Sequence, residues 1–338
     1  MPTRVRRGAM FAAVGMLMGL SGPLVAQSTR WLPRLQLDND AYNFWISPGK
    51  RSDDQYSNGV KVSLESLRAP WWGRRLGRGR PGCAADSTRA GRCLATLVTL
   101  GQDIYTPNLT RPPYQSDEWE RERPYAAWLY LSGEGRTISV RALRSYTLSL
   151  GVTGPPALGQ AAQKVAHRIV PFYAAHADGW NTQVGFEPTV LASVRQSVLA
   201  SRLVAGDGGV FDLVPYVGGS LGNALTGAEA GARARLGVNM SHPWDPRAWR
   251  LRPEWEFNVS AGARREVIAH SFSLDGTLVS PKRKVERVPV VDEYEFGAAL
   301  RLKRLSVGYR AVTRGREYTT GPRHHTYSSM YAGIEFVP

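Results

Sequence analysis

Bulky apolar residues alternate one for one with charged or polar residues in segment after segment of this chain. Val60, Val62 and Leu64 alternate with Lys61, Ser63 and Glu65. Ala232, Ala234, Leu236, Val238 and Met240 alternate with Arg233, Arg235, Gly237 and Asn239. Trp255, Phe257, Val259 and Ala261 alternate with Glu254, Glu256, Asn258 and Ser260. A period of two is the period of a β-strand, whose successive side chains point to opposite faces. A face charged at every second position needs water, and a bulky apolar face on nearly every strand needs a partner. A barrel whose strands face lipid outside and a polar lumen inside meets both demands. The pattern therefore predicts an all-β, antiparallel transmembrane barrel.

Such runs begin near Trp31, Gln55, Leu94, Tyr125, Ile138, Glu187, Val210, Ala232, Trp249, Val285, Leu305 and Tyr327. That makes about twelve strands, an even number as bacterial outer-membrane barrels require. The final strand places Met330, Ala332, Ile334 and Phe336 on one face. With both termini periplasmic, the outer loops are 41–54, 106–124, 154–186, 225–231, 271–284 and 318–326. The 35 glycines, 10 tryptophans and 14 tyrosines suit turns, lumen packing and interfacial aromatic girdles. A β-sandwich enzyme is the soluble alternative, since strand patterns alone do not name an architecture.

Residues 1–26 read as a secretory signal. Arg4, Arg6 and Arg7 precede an apolar run from Met10 to Leu20, and Leu24-Val25-Ala26 offers a cleavage site. The run is too short to span a bilayer as a helix, and nothing later supplies 18 consecutive apolar residues. Residues 27–338 then form one outer-membrane barrel domain, expected to act as a monomer. The net charge of +15 suits anionic lipid head groups, because an exported barrel seldom meets nucleic acid. Cys83 and Cys93 lie in a Gly- and Arg-rich stretch and are expected to form a disulfide in an oxidising compartment.

One segment breaks the strand pattern. Pro155–Arg168 reads as an amphipathic helix in the third and longest outer loop, with its prolines at the start. Leu158, Ala162, Val165 and Ile169 fall on one side; Gln160, Gln163, Lys164 and His167 fall on the other. A water-facing loop helix is the plain reading. A Gln and a His one turn apart also make it a candidate active-site element.

Three polar clusters converge on the outer strand ends beneath it: Asp38-Asn39-Asp40, Gln55-Tyr56-Ser57-Asn58-Gly59 and Arg121-Glu122-Arg123-Pro124-Tyr125. Each can equally be turn chemistry. Asn39 shares parity with Leu35 and Leu37, hence with the lipid face, whereas Asp38 and Asp40 share parity with Gln36. The set permits ester hydrolysis without a covalent intermediate. A neutral His167 can take a proton from water, and Arg123, backbone N–H groups or a cation can stabilise the oxyanion. Asp40 among oxygen donors suits Ca²⁺. Ser57 activated by His167 is an alternative nucleophile.

Taken in order, these segments resemble the LpxR-type lipid A 3′-O-deacylases of Gram-negative outer membranes. The matching stretches are Leu37-Asp38-Asn39-Asp40, Gln55 to Val60, Gly101 to Pro107, Arg123 to Tyr130 and Gly151 to Pro155. Gln163 with His167, Asp178-Gly179-Trp180, Gln183, Glu187-Pro188 and Gly219 to Asn223 continue the series. The resemblance implies a twelve-stranded barrel whose site lies between the wall and a loop helix at the outer leaflet. There it implies Ca²⁺-dependent removal of the 3′ acyloxyacyl group of lipid A in lipopolysaccharide. His167 is then the general base, with Asn39, Asp40 and Ser57 as site-shaping or cation-binding residues. Gln163 and Arg123 line the pocket, and Tyr125 and Lys164 join Arg123 at the substrate. The chain departs from the pattern at Glu122, where the family can be basic, at Phe186, where it favours Asn, and in the Cys83–Cys93 turn, which looks inserted. A non-enzymatic porin or lipid-binding barrel and an outer-membrane phospholipase are the rival functions.

Overall fold

A computed structural model of the chain describes residues 31–43, 55–67, 82–83, 92–108, 120–169, 179–206, 208–244, 253–279 and 283–336. The expected signal segment, residues 44–54 and 170–178, and the middle of the Cys83–Cys93 turn lie outside these.

The strands are β1 (Trp31–Asn39), β2 (Gln55–Ser66), β3 (Cys93–Thr106), β4 (Ala126–Ile138), β5 (Ala142–Thr153), β6 (Pro188–Val198), β7 (Ser201–Ala205), β8 (Gly208–Gly222), β9 (Leu225–Met240), β10 (Trp255–Ser271), β11 (Val290–Leu302), β12 (Leu305–Gly315) and β13 (His324–Ile334). Each pairs antiparallel with its neighbours, and β1 pairs with β13. Both β6 and β7 lie along β8, the first from Leu191 to Ser197 and the second from Ser201 to Ala205. They are two lengths of one stave, so thirteen segments close a barrel of 12 strands. Closure leaves no unpaired edge, which lipid would not tolerate. Among the described residues no helix is long and apolar enough to cross a membrane; the crossing is made by strands.

The alternation sorts as the sequence demands. Leu35, Val60, Val62, Leu64, Val98, Leu100, Leu131, Leu148 and Leu150 point outward and are exposed. The alternate residues pair along the inner wall: Lys61 with Asp38 and Asp103, Arg136 with Glu65, and Arg314 with Glu293 and Glu266. Outer-membrane barrels carry their longer connections outside, which puts the helix-bearing 154–187 connection at the outer end. A cluster of Leu67, Cys83, Cys93, Ala95, Ile138 and Trp244 gathers at the opposite end, where Cys83 and Cys93 are joined by a disulfide.

Two expectations change. Residues 225–231 are not an outer loop: they open β9 and pair with β8 as far as Ser220↔Gly227, leaving Asn223-Ala224 as a tight hairpin turn. Gly227, Ala228, Ala230 and Gly231 are too small to show a two-residue period. The expected helix is also broken. Pro155–Ala157 forms a 3-10 turn, Leu158 is left-handed at φ 58°, and the α-helix α1 runs from Gly159 to Ile169.

Candidate active site

The break at Leu158 decides which side of α1 meets the barrel. Leu158 and Val165 point away from the protein, 57% and 46% exposed, whereas Gln163 is buried. Exposed Gln160, Lys164 and Arg168 share the outward side with Val165, and the Gln163 edge faces the wall together with Ala162. The indole Nε1 of Trp180 donates to Gln163 Oε1 at 2.7 Å. Trp180 itself is buried against Tyr125 (5.0 Å between ring centroids), with Ile104, Ala127 and Ala157 around it. Gly159 is needed there, since a β-carbon would collide with the Trp180 ring and the Ala127 methyl. Gln102 Nε2, on the outward face of β3, donates to the Ala157 carbonyl at 2.6 Å. The helix thus lies on the outside of β3 and β4, not over the lumen.

A band of polar residues crosses this same outer face. Asn39 stands opposite Asn58 on β2 and opposite Ser328 on β13. A bulge between Tyr56 and Asn58 makes Ser57 the extra residue of its strand. The Ser57 and Thr106 hydroxyls are hydrogen-bonded and both residues are buried. Asp40, 1% exposed, opens the 3-10 turn Asp40–Tyr42. That turn is tied down by residues the sequence did not flag. Asn43 Nδ2 donates to the carbonyls of Asp40 (2.8 Å) and Thr326 (2.6 Å), and Ser328 Oγ donates to Asn43 Oδ1 at 2.6 Å. Tyr309 donates its hydroxyl proton to the Tyr42 carbonyl at 2.9 Å and lies 2.8 Å from Ser328 Oγ. Burial raises the Tyr42 hydroxyl above its ordinary pKa. Parity offered the signal: Ser328 and Tyr309 are polar residues at outward positions, as Asn39 is.

Parity also separates Asp38 from Asn39. Asp38 faces the lumen, accepting from Tyr56 (2.8 Å), Lys61 (2.7 Å) and Gln36 (2.9 Å). Arg123 is inside as well and 0% exposed. Its guanidinium meets Glu317 (3.1 Å), Ser273 (3.0 Å) and Gln55 (3.4 Å) and lies 4.7 Å over the Tyr105 ring. Burial alone would raise the Glu317 carboxyl, but Arg314, Arg123 and His325 bring it down to about 2. Glu122 accepts from the Tyr318 hydroxyl at 2.8 Å. The structure therefore brings Asn39, Asp40 and Ser57 together on the outer wall and places Gln163, Tyr125 and half-buried His167 in or under the neighbouring helix. It leaves Lys164 exposed on the helix and sets Arg123 apart, in the lumen. Two distant matched motifs meet directly: Asn223 Nδ2 donates to Glu187 Oε1 at 2.6 Å.

Among the described residues, no group of three or more His, Cys, Asp or Glu could hold a metal ion. The donors along the outer band are one carboxylate, hydroxyls, amides and main-chain carbonyls. All are hard oxygens of the kind Ca²⁺ takes, and fewer are anionic than a dedicated all-protein cage uses.

The fold is that of a known family. The family described as "Outer membrane protein LpxR" matches residues 10–336. The chain belongs to the LpxR family. It is accordingly an outer-membrane protein of a lipid A deacylase family. Among solved structures it is similar to LpxR from Salmonella typhimurium, at 19% identity over 90% of this chain and 100% of that one, with a TM-score of 0.70. The β domain of the Bordetella autotransporter BrkA is 11% identical over 91% of this chain and 98% of that one, with a TM-score of 0.43. No curated protein matches the chain in sequence.

Proposed function

We propose that this LpxR-family chain hydrolyses the ester that links the 3′ acyloxyacyl group of lipid A, acting on lipopolysaccharide in the outer leaflet. The observation that supports this most is the polar band on the outer face of the wall, on the same face as a helix, packed on β3 and β4, whose buried edge carries Gln163. A buried polar patch facing hydrocarbon is costly and is kept where function needs it. On this reading the substrate reaches the site sideways from the leaflet.

His167 is the general base. A neutral imidazole takes a proton from water, whose oxygen attacks the ester carbonyl; the same proton then serves the leaving alcohol. The Ser57 hydroxyl and the Asn39 amide orient the water and the carbonyl. Asp40 is the residue that would hold Ca²⁺, helped by neighbouring carbonyl and hydroxyl oxygens. When bound, the cation supplies positive charge for the developing oxyanion. Tyr125 supports the roof, and exposed Lys164 meets anionic groups of the head region.

Mass spectrometry of lipid A from cells with and without the protein tests the reading. Wild type should remove one acyloxyacyl group, and H167A should not, while both barrels fold and insert equally. Unchanged lipid A in wild-type cells would sink it. Chelation of Ca²⁺ should stop the reaction and re-addition restore it.

A further inference from the structure

We propose that Glu317 and Arg123 form a positioning pair that sets the outer site from inside the barrel, through the wall. The inference rests on the deacylase reading for its activity readout. It departs from the role the resemblance gives Arg123, which is to line the pocket and meet substrate.

All the Arg123 partners come from the lumen side. Tyr105 shares its face of β3 with Asp103, which pairs with Lys61 inside the barrel. Ser273 belongs to α2 (Phe272–Asp275), and Glu317 to the connection between β12 and β13. Glu317 lies outside every segment that carries the family resemblance. Its carboxylate takes Arg123 at 3.1 Å and Arg314 at 3.2 Å, with His325 Nδ1 at 3.8 Å.

Two strand starts hang from this guanidinium. On β2, Gln55 accepts from Arg123 at 3.4 Å and donates to the Tyr318 hydroxyl at 3.1 Å. Gln55 is 1% exposed and has a left-handed φ of 67°, a conformation that persists only where its surroundings enforce it. It precedes by two residues Ser57, the bulge residue of the outer band. On β4, Arg123 precedes by two residues Tyr125, which packs on Trp180 beneath α1. Pro124 stiffens the step between them. One buried cation therefore fixes both the bulge that presents Ser57 and the platform that carries the helix. Without Glu317 it is a buried charge short of its counter-ion and must move, taking both strand starts with it.

The test compares wild type, E317Q, R123M, the double variant and E317D, each purified in detergent. Substrates are lipid A with its phosphates and dephosphorylated lipid A. Backbone hydrogen exchange at 55–58, 124–126 and 159–169 is read beside kcat and KM. E317Q and R123M should each lower kcat roughly 10- to 100-fold with KM nearly unchanged, since small misplacements act at this scale. The double variant should be no worse than the worse single, as residues of one unit are non-additive. Both losses should be equal on the two substrates, E317D should recover part of the rate, and exchange should quicken in all three segments. A rise in KM for R123M confined to phosphorylated lipid A, with E317Q silent, would overturn the proposal. So would unchanged exchange in E317Q, which scores the pair even if wild type proves inactive on both substrates, a result that would sink the deacylase reading itself.

Discussion

The indole of Trp180 and the amide of Gln163 meet at 2.7 Å, and that bond fixes the rotation of α1 about its own axis. Both groups are buried, so neither can exchange its partner for water without cost. W180F keeps most of the ring packing and removes the donor. An acceptor left unsatisfied costs about 1–3 kcal/mol, enough to loosen an eleven-residue helix. Hydrogen exchange within 159–169 should quicken while the strands keep their protection, and deacylation should fall. Wild-type exchange in W180F would show that helix packing, not this bond, sets the roof.

The acid response of the outer lumen follows from Glu317. Its folded pKa of about 2 lies below the ordinary 4.5, so its contribution is full above pH 4.5 and lost as pH falls toward 2. The difference is on the order of 3 kcal/mol. Unfolding of the detergent-solubilised barrel, followed from pH 7 to pH 3, should show a stability loss beginning below about 4.5. E317Q should be less stable at neutral pH and should flatten that loss.

How much of this was legible beforehand depended on where the physics is local. Val60-Lys61-Val62-Ser63-Leu64 needs no tertiary information, because lipid and lumen impose a strict two-residue period. The strand Leu225–Met240 hid its first third because glycine and alanine carry no such signal. At the site, Asn39 was visible as a polar residue at a lipid-facing position, and the structure agrees with that parity. Ser328 shares that parity, but nothing local ties it or Asn43 to Asp40. Each is ordinary in its own segment and becomes informative only when β13 closes against β1, some 283–285 residues away in sequence. Arg123 was read as a pocket residue because its motif borders the outer rim. Which side of the wall it takes depends on Glu317, a partner 194 residues distant. The helix faces were legible as a pattern but not in orientation, since a left-handed Leu158 cannot be foreseen from periodicity.

The disulfide closes a turn of sequence separation 10 and packs with Leu67, Ile138 and Trp244. Cross-linking a loop of this size restricts the unfolded chain by about 3 kcal/mol. Because the link sits at the end of the barrel opposite α1, C83S/C93S should lower the unfolding midpoint without altering lipid A modification in cells. Loss of modification by a folded, inserted variant would connect that end of the lumen to the outer site.

Asn43 and Ser328 bear on Asp40. Asn43, 2% exposed, spends both amide donors on the carbonyls of Asp40 and Thr326 and its oxygen on Ser328. S328A removes one donor and leaves a buried acceptor, a cost of about 1–3 kcal/mol; N43A removes all three Asn43 hydrogen bonds at once. If Asp40 holds Ca²⁺, a looser turn weakens the cation first. The Ca²⁺-induced rise in unfolding temperature should then require more Ca²⁺ in S328A and most in N43A. The shift should vanish in D40N whatever the state of the turn. An identical Ca²⁺ response in all four proteins would place the cation elsewhere and leave Asn43 a purely structural staple between the 3-10 turn and β13.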